Sequence, residues 1–321
     1  MTSRLPGLLC LVALLQLSAV GQAQNLSTTD ARDYEGAGAA PDNTVVFTNY
    51  LRHTTTSGRK NVTANTALFR VDYLKRVGRF ALLPISLTLP VADADLRLYP
   101  GVPAAGQTTA APTTEATGPA SIATVHAAGI GDLLYVPTVL YDVVENAENF
   151  THSYVALSTF VSIPTGSYKH GAPLNIGENR WSFKPQLLVG QRLFKVLTLE
   201  ALASATFYRD NTELLVHPTA KTTAFITEKQ RPTYGGEVHL GVDVHPSTYI
   251  SVSYYLFSIG EQSTATATVL PHSVVQTMRF NWGIQLSPVT RLYVQLQQDL
   301  KTTAESANGR FVGARVSHVI F

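Results

Sequence analysis

The sequence predicts an all-β protein, specifically a transmembrane antiparallel β-barrel of about twelve strands, of the bacterial outer-membrane type. Three observations lead to this fold class. Segments of about ten residues alternate apolar and polar side chains, which suits a tilted membrane crossing. The connections between these segments alternate between long and short, and the chain starts with an export-type segment that holds its single cysteine.

Residues 1–23 have the three-part pattern of a secretory signal peptide. Arg4 supplies a positive charge, residues 5–17 form an apolar run, and small residues stand at Gly21 and Ala23. The run is shorter than the roughly 20 residues that a membrane-spanning helix needs. We therefore expect cleavage after Ala23.

Three segments follow from this interpretation: a signal peptide at 1–23, a periplasmic N-terminal tail at 24–43 and an outer-membrane β-barrel at 44–321. The tail either stays in the periplasm or enters the barrel as a plug. Cys10 lies in the predicted signal peptide, so the mature chain cannot stabilise its fold with a disulfide. Closing a sheet into a barrel is another way to stabilise it.

Composition excludes several classes of function. The net charge is +2 and no basic block occurs, so nucleic acid is not an expected partner. Beyond the signal peptide no run of 18 apolar residues occurs, so no transmembrane helix is expected. We expect no cofactor and no metal ion.

The alternation of apolar and polar residues predicts about twelve strands. In the third strand, Leu83, Ile85, Leu87 and Leu89 are placed on one face. The predicted strands are 44–52, 66–76, 79–91, 130–143, 152–164, 180–194, 196–209, 233–245, 248–259, 274–287, 290–300 and 310–321.

The connections alternate in length, as expected for short periplasmic turns and long external loops. This order requires an even number of strands and puts both chain ends on the short-turn side. The short connections are 77–78, 145–151, 195–196, 245–248 and 287–289, and the long ones are 53–65, 92–129, 165–179, 210–232, 260–273 and 301–309. Loop 92–129 is rich in Pro and of low complexity, so it is either mobile or folded inward as a constriction.

The predicted signal peptide, the strand length and the alternating connections indicate a membrane barrel, in which the apolar face of each strand meets lipid. Val238 and Leu240 are expected to face lipid, whereas His239 and Asp243 face the interior. Both signs of charge occur among the predicted interior residues, so no strong ion preference is expected. A barrel of this size fits either a narrow pore or an occluded lumen. The pore-lining candidates are Arg70, Asp72, Asp132, Lys184, Gln186, Glu200, Glu237, His239, Asp243, Arg279, Gln285, Gln295, Gln297 and Asp299.

The chain ends in Phe321, which looks like the C-terminal signal that bacterial outer-membrane barrels present to the barrel-assembly machinery. Counting back by twos gives Val319, Ser317 and Arg315, which is not an apolar face. Either a bulge shifts the register or Arg315 lies near a membrane interface, where its cost is small.

Three motifs carry a family resemblance: GIGDLLYVPTVLY at 129–141, IPTGSY at 163–168 and LNIGENRWSFKPQLLVG at 174–190. Together they resemble the outer-membrane transporter family associated with the phenol meta-degradation pathway. The resemblance implies an outer-membrane barrel in a Gram-negative bacterium. It also implies passive uptake of small, hydrophobic or aromatic molecules, with outer-membrane lipid as the surroundings.

The glycines of these motifs suggest turn chemistry. Gly166 and Gly177 are expected to take positive φ, and Pro164 to end a strand. The motifs therefore either shape an external loop or contact a solute.

Two alternative functions remain, a structural or adhesive barrel without transport and an outer-membrane lipid hydrolase. A hydrolase needs a Ser beside a His, but His152 and Ser153 are adjacent on a strand and point to opposite faces. His239, Asp243 and His245 share one face but span too far for one metal ion. We therefore predict no catalytic and no metal-binding residues.

Overall fold

The computed structural model describes residues 41–57, 60–98, 123–146, 151–170, 172, 174–194, 196–219, 222–265, 268–303 and 309–320. Over these residues the protein contains no helix long and apolar enough to cross a membrane. Its strands are β1 (Thr44–Thr56), β2 (Lys60–Val77), β3 (Phe80–Leu98), β4 (Ala123–Ile130), β5 (Leu133–Tyr135), β6 (Thr138–Asn146), β7 (Thr151–Ile163), β8 (Ser182–Leu193), β9 (Leu197–Tyr208), β10 (Asn211–Thr219), β11 (Thr222–Gln230), β12 (Thr233–His245), β13 (Thr248–Ile259), β14 (Gln262–Ser263), β15 (Thr268–Leu270), β16 (Ser273–Ser287), β17 (Thr290–Thr302) and β18 (Gly309–Ile320).

The strands close into a 12-strand antiparallel barrel, which confirms the predicted fold class. Elements β4, β5 and β6 together form the fourth strand and pair with β3 on one side, and β5 and β6 pair with β7 on the other. The last strand, β18, pairs with β1 from Val45–Ile320 to Thr56–Gly309. Closure leaves no long unpaired edge, as a membrane barrel requires.

The apolar face of the strands is turned outward. Val238 and Leu240 are 47% and 45% exposed, whereas His239 between them is 1% exposed. This is the reverse of a soluble barrel, in which the apolar face would be inside. The predicted orientation of this segment is therefore the observed one.

Leu83 is an exception to the predicted pattern. It is 8% exposed and packs inside against Leu140, while Ile85 is 47% exposed on the outer face. The ladder between β2 and β3 shifts register here, since Tyr73 pairs with Ile85 but Lys75 pairs with Leu82. The extra residue in β3 reverses the face on which Leu83 lies.

One predicted long connection, 53–65, is wrong. Strands β1 and β2 continue to Thr56 and from Lys60, so that only residues 57–59 connect them. The polar Thr and Asn residues of this stretch suggest a loop, but their backbone groups pair across the two strands as far as Thr55 and Thr63. Strand β3 likewise continues to Leu98.

The remaining connections keep the predicted asymmetry. Short turns join β2 to β3, β12 to β13 and β16 to β17, and Thr44 and Ile320 lie on that same side. On the other side, the predicted loop 210–232 contains the β10–β11 hairpin, and β14 and β15 extend it into a small four-stranded sheet. Residues 99–122 of loop 92–129 lie outside the described residues, as do residues 1–40 and Phe321.

The core of the protein lies inside the barrel. Near the short-turn side, Tyr154 and Leu188 pack in a cluster with inward-facing residues of β2, β3, β6 and β9. On the opposite side, Leu174 and Ile176 from the β7–β8 connection pack against the inner face of β2 and β3. That connection therefore folds into the barrel mouth.

Candidate functional site

The predicted pore-lining residues lie on the inner face of the barrel. Those that are buried are Asp72, Asp132, Lys184, Gln186, Glu200, Glu237, His239, Arg279 and Gln295, and those that are partly buried are Arg70, Asp243, Gln285, Gln297 and Asp299. They come from six strands, β2, β8, β9, β12, β16 and β17, and from the junction between β4 and β5, and they do not converge on one point. Most are held by a neighbour on the same or an adjacent strand.

Ion pairs and hydrogen bonds neutralise several of these interior charges. The Arg70 Nε atom lies 2.9 Å from the Asp72 carboxylate, and Arg192 Nη2 lies 2.7 Å from Asp243 Oδ2. Asp299 accepts a hydrogen bond of 2.8 Å from the hydroxyl of Thr277. Such pairing reduces the cost of keeping charges away from bulk water.

One wall of the interior stacks arginines on aromatic rings. The guanidinium of Arg279 lies 4.8 Å from the centre of the Tyr255 ring and 5.1 Å from that of Phe311. The guanidinium of Arg315 lies 3.9 Å from the centre of the Tyr293 ring. Cation–π contacts of this kind stabilise a buried cation.

Arg315 neither follows a bulge nor lies at a membrane interface, which were the two expectations for the C-terminal strand. The β17–β18 ladder runs without a register shift, so no bulge is present there. Arg315 is 3% exposed and points into the barrel, and Val316 on the other face is 38% exposed. The face that carries Arg315 and Ser317, which is not apolar, is therefore the interior face of β18.

The middle of the interior is packed. Arg279, His239, Glu200 and Tyr154 are each less than 2% exposed, and the Tyr154 hydroxyl donates a hydrogen bond of 2.6 Å to Glu200. His239 Nε2 lies 3.5 Å from Glu237 Oε2. At this level the part of the chain that the structure describes leaves no wide channel.

Asp132 is a special case among the predicted pore-lining residues, because it is covered by the β7–β8 connection. Its carboxylate accepts hydrogen bonds from the backbone N–H groups of Gly166 at 2.8 Å and Glu178 at 2.7 Å. Ser167 accepts a hydrogen bond from the Ile130 N–H at 3.1 Å. The three motifs that carry the family resemblance therefore meet at one carboxylate.

The expectation that the glycines of these motifs take positive φ is wrong. Glycine is needed at these positions because a side chain would collide with neighbouring atoms. Neither Gly166 nor Gly177 has a positive φ. A Cβ atom at Gly166 would lie 2.7 Å from the Asp132 carboxylate, and one at Gly177 would lie 2.9 Å from the Gly166 backbone. Close approach of the connection to Asp132 therefore excludes larger residues.

Above the packed middle, a small cavity lies inside the external half of the barrel, with room for about one water molecule in this conformation. Its walls combine apolar surface with hydroxyl, amide and charged groups. The lining residues are Glu178, Lys184, Ser204, Thr206, Tyr208, Gln230, Thr233, Gly235, Phe257 and Ile259.

The external rim of this cavity is built around Arg180. Its Nε atom lies 3.2 Å from the carboxylate of Glu178, its guanidinium donates to the side-chain oxygen of Gln230, and it lies 4.8 Å from the centre of the Tyr208 ring. Burial raises the pKa of the nearby Glu228 above its usual value, and Arg180 partly counteracts this. The rim is thus a buried network of charges.

Sequence reasoning found Lys184 but missed most of this cavity. Arg180, Glu178 and Gln230 belong to loops or to the external hairpin, where alternation gives no face. Tyr208 was predictable as an interior residue, because it lies on the same face of β9 as the predicted interior residue Glu200. The alternation of apolar and polar residues cannot show that these strands and loops line the same cavity.

The possible catalytic and metal-binding groups do not form a site. His152 Nε2 lies 2.8 Å from Asp142 Oδ1, whereas the Ser153 hydroxyl donates to Gln191. His245 is exposed beside Ser247 and lies away from His239. Among the described residues no group of three potential metal ligands occurs.

Comparison with known proteins identifies relatives of this barrel. A family model described as "Putative MetA-pathway of phenol degradation" matches residues 35–317. An outer membrane channel from Pseudomonas putida F1 is similar with a TM-score of 0.73 and 19% identity, over 91% of this chain and 100% of that chain, which indicates the same fold. The transport unit of the autotransporter AIDA-I from Escherichia coli and the CymD monoaromatic hydrocarbon channel give TM-scores of 0.48 and 0.42 at 8% and 7% identity, each over 95% of this chain and 97% of theirs. No curated protein sequence matches the chain.

Proposed function

We propose that this chain, which belongs to the family described as "Putative MetA-pathway of phenol degradation", is an outer-membrane channel for passive uptake of small hydrophobic or aromatic molecules. The family description and the fold shared with an outer membrane channel support this proposal. The observation that carries it is the mixed apolar and polar lining of the cavity inside the external half of the barrel.

The lining of the cavity suits a small aromatic molecule, which enters as the surrounding side chains move apart. Ligand sites usually combine apolar walls with a few polar groups that fix orientation. Phe257 and Ile259 supply apolar surface, and the hydroxyl groups of Ser204, Thr206 and Thr233 supply hydrogen bonds. A monosaccharide, which needs polar partners on all sides, fits this lining less well.

Passage below the cavity proceeds through the packed middle of the barrel by small rearrangements of side chains. The polar groups there, including Glu200 and His239, are nearly fully buried, so a wide water-filled pore for ions is not the expected function. Uptake is therefore selective and slow compared with that of a general porin.

The location of the protein follows from the same proposal. Residues 1–23 direct export and are removed near Ala23, residues 24–43 form the tail, and Phe321 is recognised by the assembly machinery that inserts the barrel into outer-membrane lipid. The protein needs no enzymatic activity for this role. The outward apolar face of the strands supports insertion into lipid.

The test is uptake into vesicles of phospholipid and lipopolysaccharide that carry the refolded mature chain, with protein-free vesicles as background. We expect phenol to enter faster than a pentose of similar size. Equal rates with and without the protein for both solutes would overturn the proposal.

A pair of glycines supplies a matched variant and control. A Cβ atom at Gly235 would lie 2.7 Å from the Phe257 ring and 2.7 Å from the Ser204 hydroxyl, so Gly235→Ala pushes side chains into the cavity. A Cβ atom at Gly236 would meet open space, with no other atom within 4 Å, so Gly236→Ala leaves the cavity intact. Gly235→Ala should reduce phenol uptake several-fold and Gly236→Ala should not.

A further inference from the structure

We propose that the cavity prefers small aromatic molecules that carry an anionic group, and that Lys184 is the residue that selects them. This inference rests on the proposed function and names the chemical class of solute within it. It follows from how apolar and cationic surface are arranged around the cavity.

The apolar side of the cavity is formed by aromatic and aliphatic side chains. Phe257 and Ile259 lie on the same face of β13, and the Phe257 ring packs over Gly235 on the paired strand β12. The Tyr255 ring is nearly parallel to the Phe257 ring, with an interplanar angle of 15° and 6.3 Å between the ring centres. Phe257 is 4% exposed, so an aromatic solute reaches its ring as neighbouring side chains move aside.

A cation also lines the cavity. Lys184 is 4% exposed, and its ammonium lies 4.0 Å from the centre of the Phe160 ring. An ammonium group at this depth in a membrane barrel is costly to maintain, and such residues commonly mark the path of a solute. The hydroxyls of Ser204 and Thr206 on β9 line the same cavity and can donate to a carboxylate.

Two carboxylates near the cavity bear on this preference. Glu178 lines the rim, but its carboxylate is already bonded to Arg180, so that the pair is close to neutral. Glu237 interacts electrostatically with Lys184 but is not part of the lining. An anionic solute therefore competes with Glu237 for the ammonium, and removal of Glu237 should strengthen the preference.

The experiment measures binding by calorimetry of the refolded protein in detergent, with benzoate and benzamide as probes. The two molecules have nearly the same shape and differ in charge. We expect benzoate to bind at least about tenfold more tightly than benzamide, as a charge interaction in a partly desolvated site allows. Acetate, which has the charge but no ring, should bind more weakly than benzoate.

Variants assign the preference to Lys184. Lys184→Met should abolish the difference between benzoate and benzamide, Lys184→Arg should retain it, and Glu237→Gln should increase it. Lys229→Met is the control, because Lys229 carries the same charge but is largely exposed outside the cavity. Heat-modifiable migration on a gel verifies that each variant still forms a barrel.

The possible results distinguish the anion preference, the role of Lys184 and the proposed function from one another. Equal binding of benzoate and benzamide to the unaltered protein would overturn the anion preference, even if phenol uptake remains. A preference that survives in Lys184→Met would overturn the role of Lys184. Failure of the proposed function appears separately, as absence of aromatic uptake into vesicles.

Discussion

The carboxylate of Asp132 accepts the backbone N–H of Glu178 at 2.7 Å, although the two residues stand 46 positions apart in the chain. The same carboxylate accepts the N–H of Gly166, so one side chain holds both ends of the connection that folds into the barrel mouth. Leu174 and Ile176 lie between these two points and are buried against β2 and β3. The position of the connection thus depends on Asp132.

Asp132→Ala should release this connection. Loss of two hydrogen bonds to a carboxylate should lower the free energy of unfolding by about 2–3 kcal/mol. Because the connection lies in the barrel mouth, single-channel conductance in planar bilayers should rise. Asp93→Ala is the control, since Asp93 is on the outer face of β3. Unchanged conductance together with unchanged stability would show that Asp132 does not hold the connection.

Gly190→Ala should destabilise the barrel from its interior. A Cβ atom at Gly190 would overlap the ring of Tyr154, so the ring must move and its hydrogen bond to Glu200 is strained or lost. Overpacking of this kind costs about 1–3 kcal/mol. The measurement is denaturant unfolding in detergent, and Gly236→Ala, with open space around it, is the matched control. Equal midpoints for the two variants would contradict the prediction.

Arg315→Met should reveal whether the cation over Tyr293 stabilises the last strand. The guanidinium lies 3.9 Å from the centre of that ring and is buried, so its loss should lower the free energy of unfolding by about 1–2 kcal/mol. Arg310→Met on the same strand removes an exposed arginine and should have little effect. The comparison is made by thermal unfolding on gels, and a larger shift for Arg310→Met would refute the assignment.

The external hairpin should become less stable as pH rises from acidic values. Burial raises the pKa of Glu228 above its ordinary value of 4.5, Arg180 lowers it, and Glu178 raises it. Between the ordinary and the raised pKa, the folded state holds a proton that the unfolded state has lost. Its stabilising contribution is therefore complete below pH 4.5 and decreases as pH rises through the raised pKa.

Glu228→Gln tests this pH dependence. The variant keeps a hydrogen-bonding side chain but cannot ionise, so protection of the β10–β11 hairpin against proteolysis should no longer fall with pH. Glu261→Gln, outside the buried network around Arg180, should behave like the unaltered protein. A hairpin whose protection has the same pH profile in all three proteins would rule out Glu228 as the titrating group.

Much of the barrel is predictable because its causes are local. Alternation of apolar and polar residues predicts the bounds of strands such as β12 and β13. The order of short and long connections predicts an even number of strands in a closed barrel. The predicted face of Leu83 is wrong because a register shift between two strands is invisible in one strand's pattern. The polar composition of residues 53–65 suggests a loop and hides continued backbone pairing.

The sequence by itself determined the all-β class, the number of strands and the face of the strands that is turned outward. These properties depend on residue period and spacing, which neighbouring residues in the chain specify. Only the tertiary structure decided that the connection after β7 folds inward onto Asp132, and that Lys184, Phe257 and Gly235 surround one cavity. Such contacts join distant segments, and their positions depend on the register and closure of the whole barrel.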